Sequence, residues 1–440
     1  MASTLSNIFK VPELRSRILF SLGALVVYRL GAHIPTPGIN PAELLAYFER
    51  SGGGLLGIID LFSGGALFKF TIFALGIMPY ITASIVMQLL GVIVPSIERL
   101  QKEGEQGRKK INQFTRYLTI VFCGVQSLAL ANWIKGIEGG RMVYFENPGI
   151  GFLLLVMLTS ITGTMFLVWL GEQITERGIG NGTSLIIYAG IAARIPAAIF
   201  NAFEKVRTGD FNALAMVLLL VIFAVVIFLV VYEESGQRRI PVQYAKRVVG
   251  NRVYGAQNTH IPFKINPSGV IPIIFASAII MVPSQVSSIF HAKWLNSLFM
   301  IFQHGTWSYI IIYFLLVIGF AYLYTSVLFN PVDIAENLKR SGGFVPGIRP
   351  GTQTAEYLKG VLSRLTFGGS FFLAMIAIFP DLILKVPMFA SAPRELPYLM
   401  GGTSLLILIA VDLDTMKQIE SRLQMHNYEG FMKKAKTYRR

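Results

Sequence analysis

Residues 213–232 read ALAMVLLLVIFAVVIFLVVY, twenty consecutive residues without a charge. At about 1.5 Å per residue such a run covers the roughly 30 Å hydrocarbon core of a bilayer as one α-helix. Nine more runs of similar character lie at 17–34, 71–94, 114–134, 150–170, 183–203, 268–290, 306–330, 363–384 and 396–413. Composition agrees with ten spans. Of 440 residues 53% are hydrophobic and only 14% charged, yet 39 Lys and Arg against 24 Asp and Glu leave a net charge of +15. An average soluble domain is about a quarter charged. The single cysteine, Cys123, cannot form an internal bridge, which excludes a disulfide scaffold. These figures argue against disorder and an ordinary soluble enzyme, and predict an all-α polytopic membrane protein.

Orientation follows from the basic residues. The first run contains Arg29 and lacks a small-residue cleavage site, so it reads as a retained span. With the N-terminus cytoplasmic, 28 of the 39 Lys and Arg fall in inner segments and 10 in outer loops. That bias puts both termini inside. The runs divide near residue 209 into an N-terminal half, 1–208, with spans 1–5, and a C-terminal half, 209–413, with spans 6–10. A basic cytoplasmic tail, 414–440, follows. An odd number of spans per half starts the second half on the opposite face, which predicts two pseudo-symmetric inverted halves. Parity alone carries this expectation, because no internal repeat is visible.

Runs 71–94, 213–232, 268–290 and 306–330 contain no Asp, Glu, Lys or Arg. Arg194, Arg364, Asp381 and Asp412 are read as lying toward span ends, with their charges snorkelling to the interface. The competing reading, a secondary transporter with inverted repeats, needs a buried coupling carboxylate, and none is expected. His33, His260, His291, His304 and His426 are scattered without metal-ligand spacing. There is no phosphate-cradling G-x-x-x-x-G-K-[ST] loop, and GIGNG at 178–182 reads as a tight turn into the fifth span. No catalytic residue, cofactor or metal site is expected, and a lipid-handling enzyme would need clustered His, Asp or Glu.

Three segments are irregular. GGGLLGIIDLFSGGALFKF at 52–70 has an apolar part too short to span, with glycines on both sides, and predicts a short re-entrant helix. In 233–264, Ile240, Val242 and Tyr244 alternate with polar residues. That pattern predicts a strand or hairpin with Arg238, Arg239, Lys246 and Arg247 pointing outward. Residues 331–360 predict a helix-turn and a Gly/Pro-fixed loop presenting Arg349. Both cytoplasmic loops are longer than connectors need, and their basic residues suit an anionic partner.

FSGGALFKFTIFALGIMPYITASI (62–85), GEQITERGIGNGTSLII (171–187), GQRRIPVQYAKR (236–247), NPSGVIPIIFAS (266–277), FNPVDIAENLKRSGGFVPGIRPG (329–351) and GGTSLLI (401–407) resemble the SecY family, channel subunits of the bacterial Sec translocon. The resemblance covers nearly the whole chain in order. It implies a passive, gated, protein-conducting channel of the bacterial cytoplasmic membrane. Such a channel passes unfolded secretory chains and releases transmembrane segments sideways into lipid. The implied partners are the SecE and SecG subunits, the SecA motor ATPase, the ribosome, signal peptides, nascent chains and membrane lipids.

By resemblance the halves hinge between spans 5 and 6 and open between spans 2 and 7. A plug at about 56–69 contains Ile58, Ile59, Leu61, Phe62, Ser63, Gly64 and Gly65. The waist is a ring of Ile77, Ile81, Ile187, Ile274 and Ile407, with Thr183 where some members carry another isoleucine. Thr82, Gln88, Gln126, Asn266, Ser277 and Val282 belong to the lateral gate, the polar ones expected to hydrogen-bond across the seam. Arg238, Arg239, Lys246, Arg247, Arg252, Lys339, Arg340 and Arg349 would dock the motor or ribosomal RNA phosphates, a contact that reads no sequence. Physics supports an apolar ring independently. A hydrophobic constriction dewets and so blocks ions without a charged gate.

Overall fold

The computed structural model describes residues 11–51, 60, 63–137, 142–144, 149–244, 247–249, 252–254, 258–289, 301, 305–389, 391–393 and 395–437. Its helices up to the middle of the chain are α1 (Pro12–Gly31), α2 (Pro41–Ser51), α3 (Met78–Ile93), α4 (Pro95–Lys102), α5 (Glu105–Gly136), α6 (Ile150–Arg177), α7 (Gly182–Ala192), α8 (Ile195–Thr208) and α9 (Ala213–Ser235). Strands β1 (Gln237–Tyr244), β2 (Arg247–Val249), β3 (Arg252–Tyr254) and β4 (Asn258–Lys264) follow. Then come α10 (Ile271–Ile289), α11 (Trp307–Leu328), α12 (Pro331–Arg340), β5 (Gly343–Phe344), α13 (Thr352–Leu384), α14 (Glu395–Met400) and α15 (Gly402–Thr437).

Among the described residues seven helical stretches are long and apolar enough to cross a membrane, and the pair α3–α4 makes an eighth. The first and seventh predicted spans fall on α1 and α10. Every predicted span therefore coincides with helix, with one shift. The second was expected from residue 71, but 71–77 are turns and α3 begins at Met78.

Local chemistry sets the ends. Asn181, Asn212, Thr306 and Asn330 accept a backbone N–H of the first turn of α7, α9, α11 and α12, which satisfies donors a helix start leaves open. Two prolines cut spans. Pro95 follows α3, and α4 leaves it at 102°. Pro196 enters α8, and because proline has no N–H to continue the ladder, the fifth span is split between Ala192 and Ile195. Gly209, at φ 85°, then ends α8 where the chain passes to α9.

The expected strand of the first cytoplasmic loop is present and acquires an unforeseen partner. β1 pairs antiparallel with β4, Ile240 opposite Ile261, and on its other edge with β5 from the second loop, Tyr244 opposite Gly343. Ile240 and Val242 are buried and Arg238 and Arg239 exposed, as the alternation predicts. β2 and β3 form a separate hairpin. Ile240, Phe263, Val345, Leu358 and Leu362 make one apolar core beneath the sheet, so the two long loops fold as a single platform. An ion pair between Lys264 and Asp414, 3.8 Å, and a 2.9 Å hydrogen bond from Asn266 to Glu234 join it to α15 and α9.

The predicted re-entrant helix is mostly not open to comparison, since Ile58, Ile59, Leu61 and Phe62 lie outside the described residues. Among the described residues of that segment Asp60 and Ser63 are helical, and turns follow from Gly64 to Phe70. Leu358 is completely buried in the platform core. Leu358→Ala should cost about 2–5 kcal/mol there. Limited proteolysis should nick the loops between residues 237 and 264 earlier than in the native chain, with cleavage elsewhere unchanged.

Candidate functional site

All five isoleucines expected at the waist fall in or against one apolar cluster. Ile77 precedes α3, Ile187 lies on α7 and Ile407 on α15, and the three are buried in one apolar cluster. Ile81 of α3 and Ile274 of α10 pack against the same cluster. Residues 330 positions apart in sequence thus share one dry centre, to which Tyr28 of α1 and Ala66 also belong. Thr183 serves another purpose. Its hydroxyl donates to Asn181 at 2.8 Å, at the start of α7, and its methyl carbon is the nearest neighbour a side chain on Gly171 of α6 would meet. The GIGNG turn is a turn, as expected. Ile179 N–H donates to Ser21 of α1, and Gly180 N–H to Gln418 of α15.

The stretch 63–77, turns for most of its length, lies against this centre and is hydrogen-bonded by several neighbouring protein groups. Tyr28 donates to the Ser63 carbonyl at 3.2 Å, and Arg29 to the Gly64 carbonyl at 3.2 Å. Thr164 of α6 donates to the Gly76 carbonyl at 3.2 Å, and the Cys123 thiol of α5 donates to Thr164 at 3.5 Å. Ile39, Leu44, Phe48, Leu67, Phe70 and Ile134 form a second apolar cluster about it, with Phe48 stacked on Phe68 at 4.2 Å. Two glycines allow the close approach. A side chain on Gly64 would come within 2.8 Å of the Gly190 backbone, and one on Gly163 would overlap the Ile72 carbonyl.

Asp60 is the largest departure from expectation. It is completely buried. Its Oδ1 accepts the backbone N–H groups of Leu67 at 2.9 Å and Phe68 at 3.0 Å and lies 3.2 Å from the Ser63 hydroxyl. Its Oδ2 is ion-paired with Arg194. Arg194 was expected to snorkel from a span end. It stands instead at the break inside the fifth span, with its guanidinium also 5.5 Å from the Phe68 ring centre. Asp381 does not snorkel either, being 4% exposed and accepting the Tyr398 hydroxyl at 2.8 Å. Arg364 and Asp412 are exposed, in keeping with the prediction. The expectation of no buried carboxylate was therefore wrong. The missed signal was an arginine in the middle of an apolar run, two residues before a proline.

The seam between α3 and α10 also differs from expectation. Ile85, Phe275 and Ala278 are its buried core, with Ile81, Leu89, Ile271 and Ile274 packed around them. The polar residues expected to bridge it are bonded at home. Thr82 donates to Met78 at 3.1 Å, Gln88 to Ser84 at 3.4 Å and Ser277 to Ile274 at 2.9 Å, each within its own helix. Asn266 bonds Glu234 and the Gly269 carbonyl, within the C-terminal half. A helix offers i−3 and i−4 carbonyls at no conformational cost, which is why short hydroxyl side chains turn back on it. Gln126 is half-buried on α5. Val282 lies on α10, and its side chain is outside the described residues.

Of the expected docking residues, Arg238, Arg239, Lys339, Arg340 and Arg349 are exposed on the platform. Arg349 sits between Gly347 and Gly351, both with left-handed backbones, and its carbonyl accepts Thr354 at 2.9 Å, so the turn carrying it is held. Arg247 and Arg252 flank the β2–β3 turn, their side chains outside the described residues, as is all of Lys246.

Apolar helices of membrane-crossing length packed around one buried apolar cluster, with a turn-rich segment fastened against it, define a polytopic helical membrane protein. The SecY family model matches residues 71–416. The protein translocase subunit SecY of Aquifex aeolicus is 45% identical over 436 residues, covering 99% of this chain and all of that one. That of Escherichia coli K12 is 46% identical over 427 residues, covering 96% and 95%. The chain belongs to the SecY family. A solved structure described as a protein-conducting channel is 19% identical with a TM-score of 0.64, covering 92% of each chain. Sec61 in a canine ribosome–channel complex is 18% identical with a TM-score of 0.61, again covering 92% of each. These two share the fold.

The Gly163 contact sets the spacing between α6 and the stretch before α3. Gly163→Ala should lower stability by about 1–3 kcal/mol through overpacking. Thermal unfolding in detergent would register it, with Gly151→Ala as the neutral control, since Gly151 faces open space.

Proposed function

We propose that this chain is the pore subunit of a bacterial Sec translocase, a passive gated channel for unfolded polypeptides. The observation that carries this reading is the convergence of Ile77, Ile81, Ile187, Ile274 and Ile407 on one buried cluster. A ring of branched apolar side chains excludes ions by dewetting, yet it can part around any extended chain because it makes no sequence-specific contact. Residues 56–69 act as the plug behind that ring, resting on Ala66 and held at Ser63 and Gly64. Halves 1–208 and 209–413 part along the α3–α10 seam and hinge at the turn around Gly209. A signal peptide or transmembrane segment entering the seam exchanges contacts with Ile85 and Phe275 for contacts with lipid.

The platform faces the cytoplasm together with both termini, in the cytoplasmic membrane. Arg238, Arg239, Lys339, Arg340 and Arg349 present its charge to the SecA motor or to ribosomal phosphates, and Lys246, Arg247 and Arg252 belong to the same basic surface. SecE and SecG complete the complex. Energy comes from these partners, and the polypeptide passing through is cargo. The secondary-transporter reading has no support from the relatives.

Two measurements test this. Alanine at all five waist isoleucines should make bilayers holding the complex conduct ions at rest, and native conductance in that variant would refute the ring. Arg349→Glu should stop motor-driven secretion while the subunit still inserts and assembles. Undiminished secretion would remove Arg349 from the coupling surface.

A further inference from the structure

Burying a carboxylate inside a membrane protein is costly unless an opposite charge meets it. Asp60 and Arg194 are 134 residues apart and come from different parts of the fold, one from the segment read above as the plug and the other from the break in the fifth span. We infer that the Asp60–Arg194 ion pair is a latch that positions the plug in the closed channel, with Arg194 as its fixed half. This rests on the plug reading.

Three features point the same way. Pro196 interrupts the hydrogen-bond ladder of the span, and Arg194 stands at that break as the residue preceding α8. The two Asp60 oxygens divide their work. Oδ1 closes the plug's own turn through Leu67 and Phe68, and Oδ2 reaches the guanidinium. The other fastenings from the bundle to this segment, from Tyr28 and Arg29, end on backbone carbonyls. Asp60 therefore supplies the segment's side-chain charge to the contact with Arg194.

In the closed state both charges sit in protein. In an open state with the plug displaced, both would face water, where neither needs the other. Removing Arg194 penalises only the closed state, because it leaves the completely buried Asp60 carboxylate without its opposite charge, and removing Asp60 takes the ion pair away from Arg194. Removing both relieves that penalty. The pair therefore predicts non-additivity rather than a simple loss.

The test uses planar bilayers containing the complex as it co-purifies with its small subunits, with potassium conductance at rest as the readout. Asp60→Asn keeps the Oδ1 acceptor and removes the charge. Arg194→Met keeps the length of the stem and removes the guanidinium. Each single variant should shift the open-to-closed ratio by about a hundredfold toward open, and the double variant should seal close to the native level. Singles that seal like the native channel, or a double that leaks as much as the singles, would overturn the latch. Deleting residues 55–65 separates the two readings. A deletion that stays tight refutes the plug itself, whereas a leaking deletion beside tight single variants refutes only the latch. Should a single variant fail to assemble, a double variant that assembles and seals normally supports the pairing, and a double that also fails to assemble counts against it.

Discussion

Irregular backbone within a membrane protein must find its hydrogen-bond partners in protein, because lipid offers none. The rest of the structure follows from how the stretch 63–77 meets that demand. Tyr28, Arg29, the Asp60 carboxylate and Thr164 each take a backbone group of this stretch, and they come from the first span, the residues just before the stretch and the fourth span. Glycines at 31 and 163 let the neighbouring helices press against it, with the Phe73 ring occupying the space at Gly31. Because these groups are satisfied, a turn-rich stretch can lie beside the apolar cluster. A helix there would carry its own hydrogen bonds and would need none of this scaffolding.

Sequence disclosed most of the architecture and the centre of the site. Length and apolarity placed ten runs that all coincide with helix, seven or eight of them of membrane-crossing length among the described residues, since a span's requirement is local and compositional. The five isoleucines were singled out through family motifs, and the structure places them in one apolar cluster. What stayed hidden was pairing across distance. No periodicity links Asp60 to Arg194, and the partnership of β1 with β5 depends on two loops separated by two spans. The seam was misjudged for a different reason. Polar residues near an interface suggest bonds across it, but a helix supplies nearer acceptors, and Thr82 and Ser277 take them.

The platform couples regions the sequence treats as separate. Its core is drawn from both long loops, and its ties reach α9 through Asn266 and α15 through Lys264. α15 in turn carries Ile407 at the waist and Gln418 at the GIGNG turn, so the surface bearing Arg349 and the centre of the channel share a continuous run of packed elements.

The apolar character of the α3–α10 seam has a thermodynamic consequence. When two helices separate in a bilayer, Ile85, Phe275 and their neighbours move from side-chain contact to acyl-chain contact, and no apolar surface there enters water. The heat-capacity change that accompanies hydration of apolar surface is then nearly absent from the seam's opening. Its enthalpy should vary little with temperature, and its position should follow the packing of the surrounding acyl chains, including a liquid-to-gel transition, more closely than salt or pH.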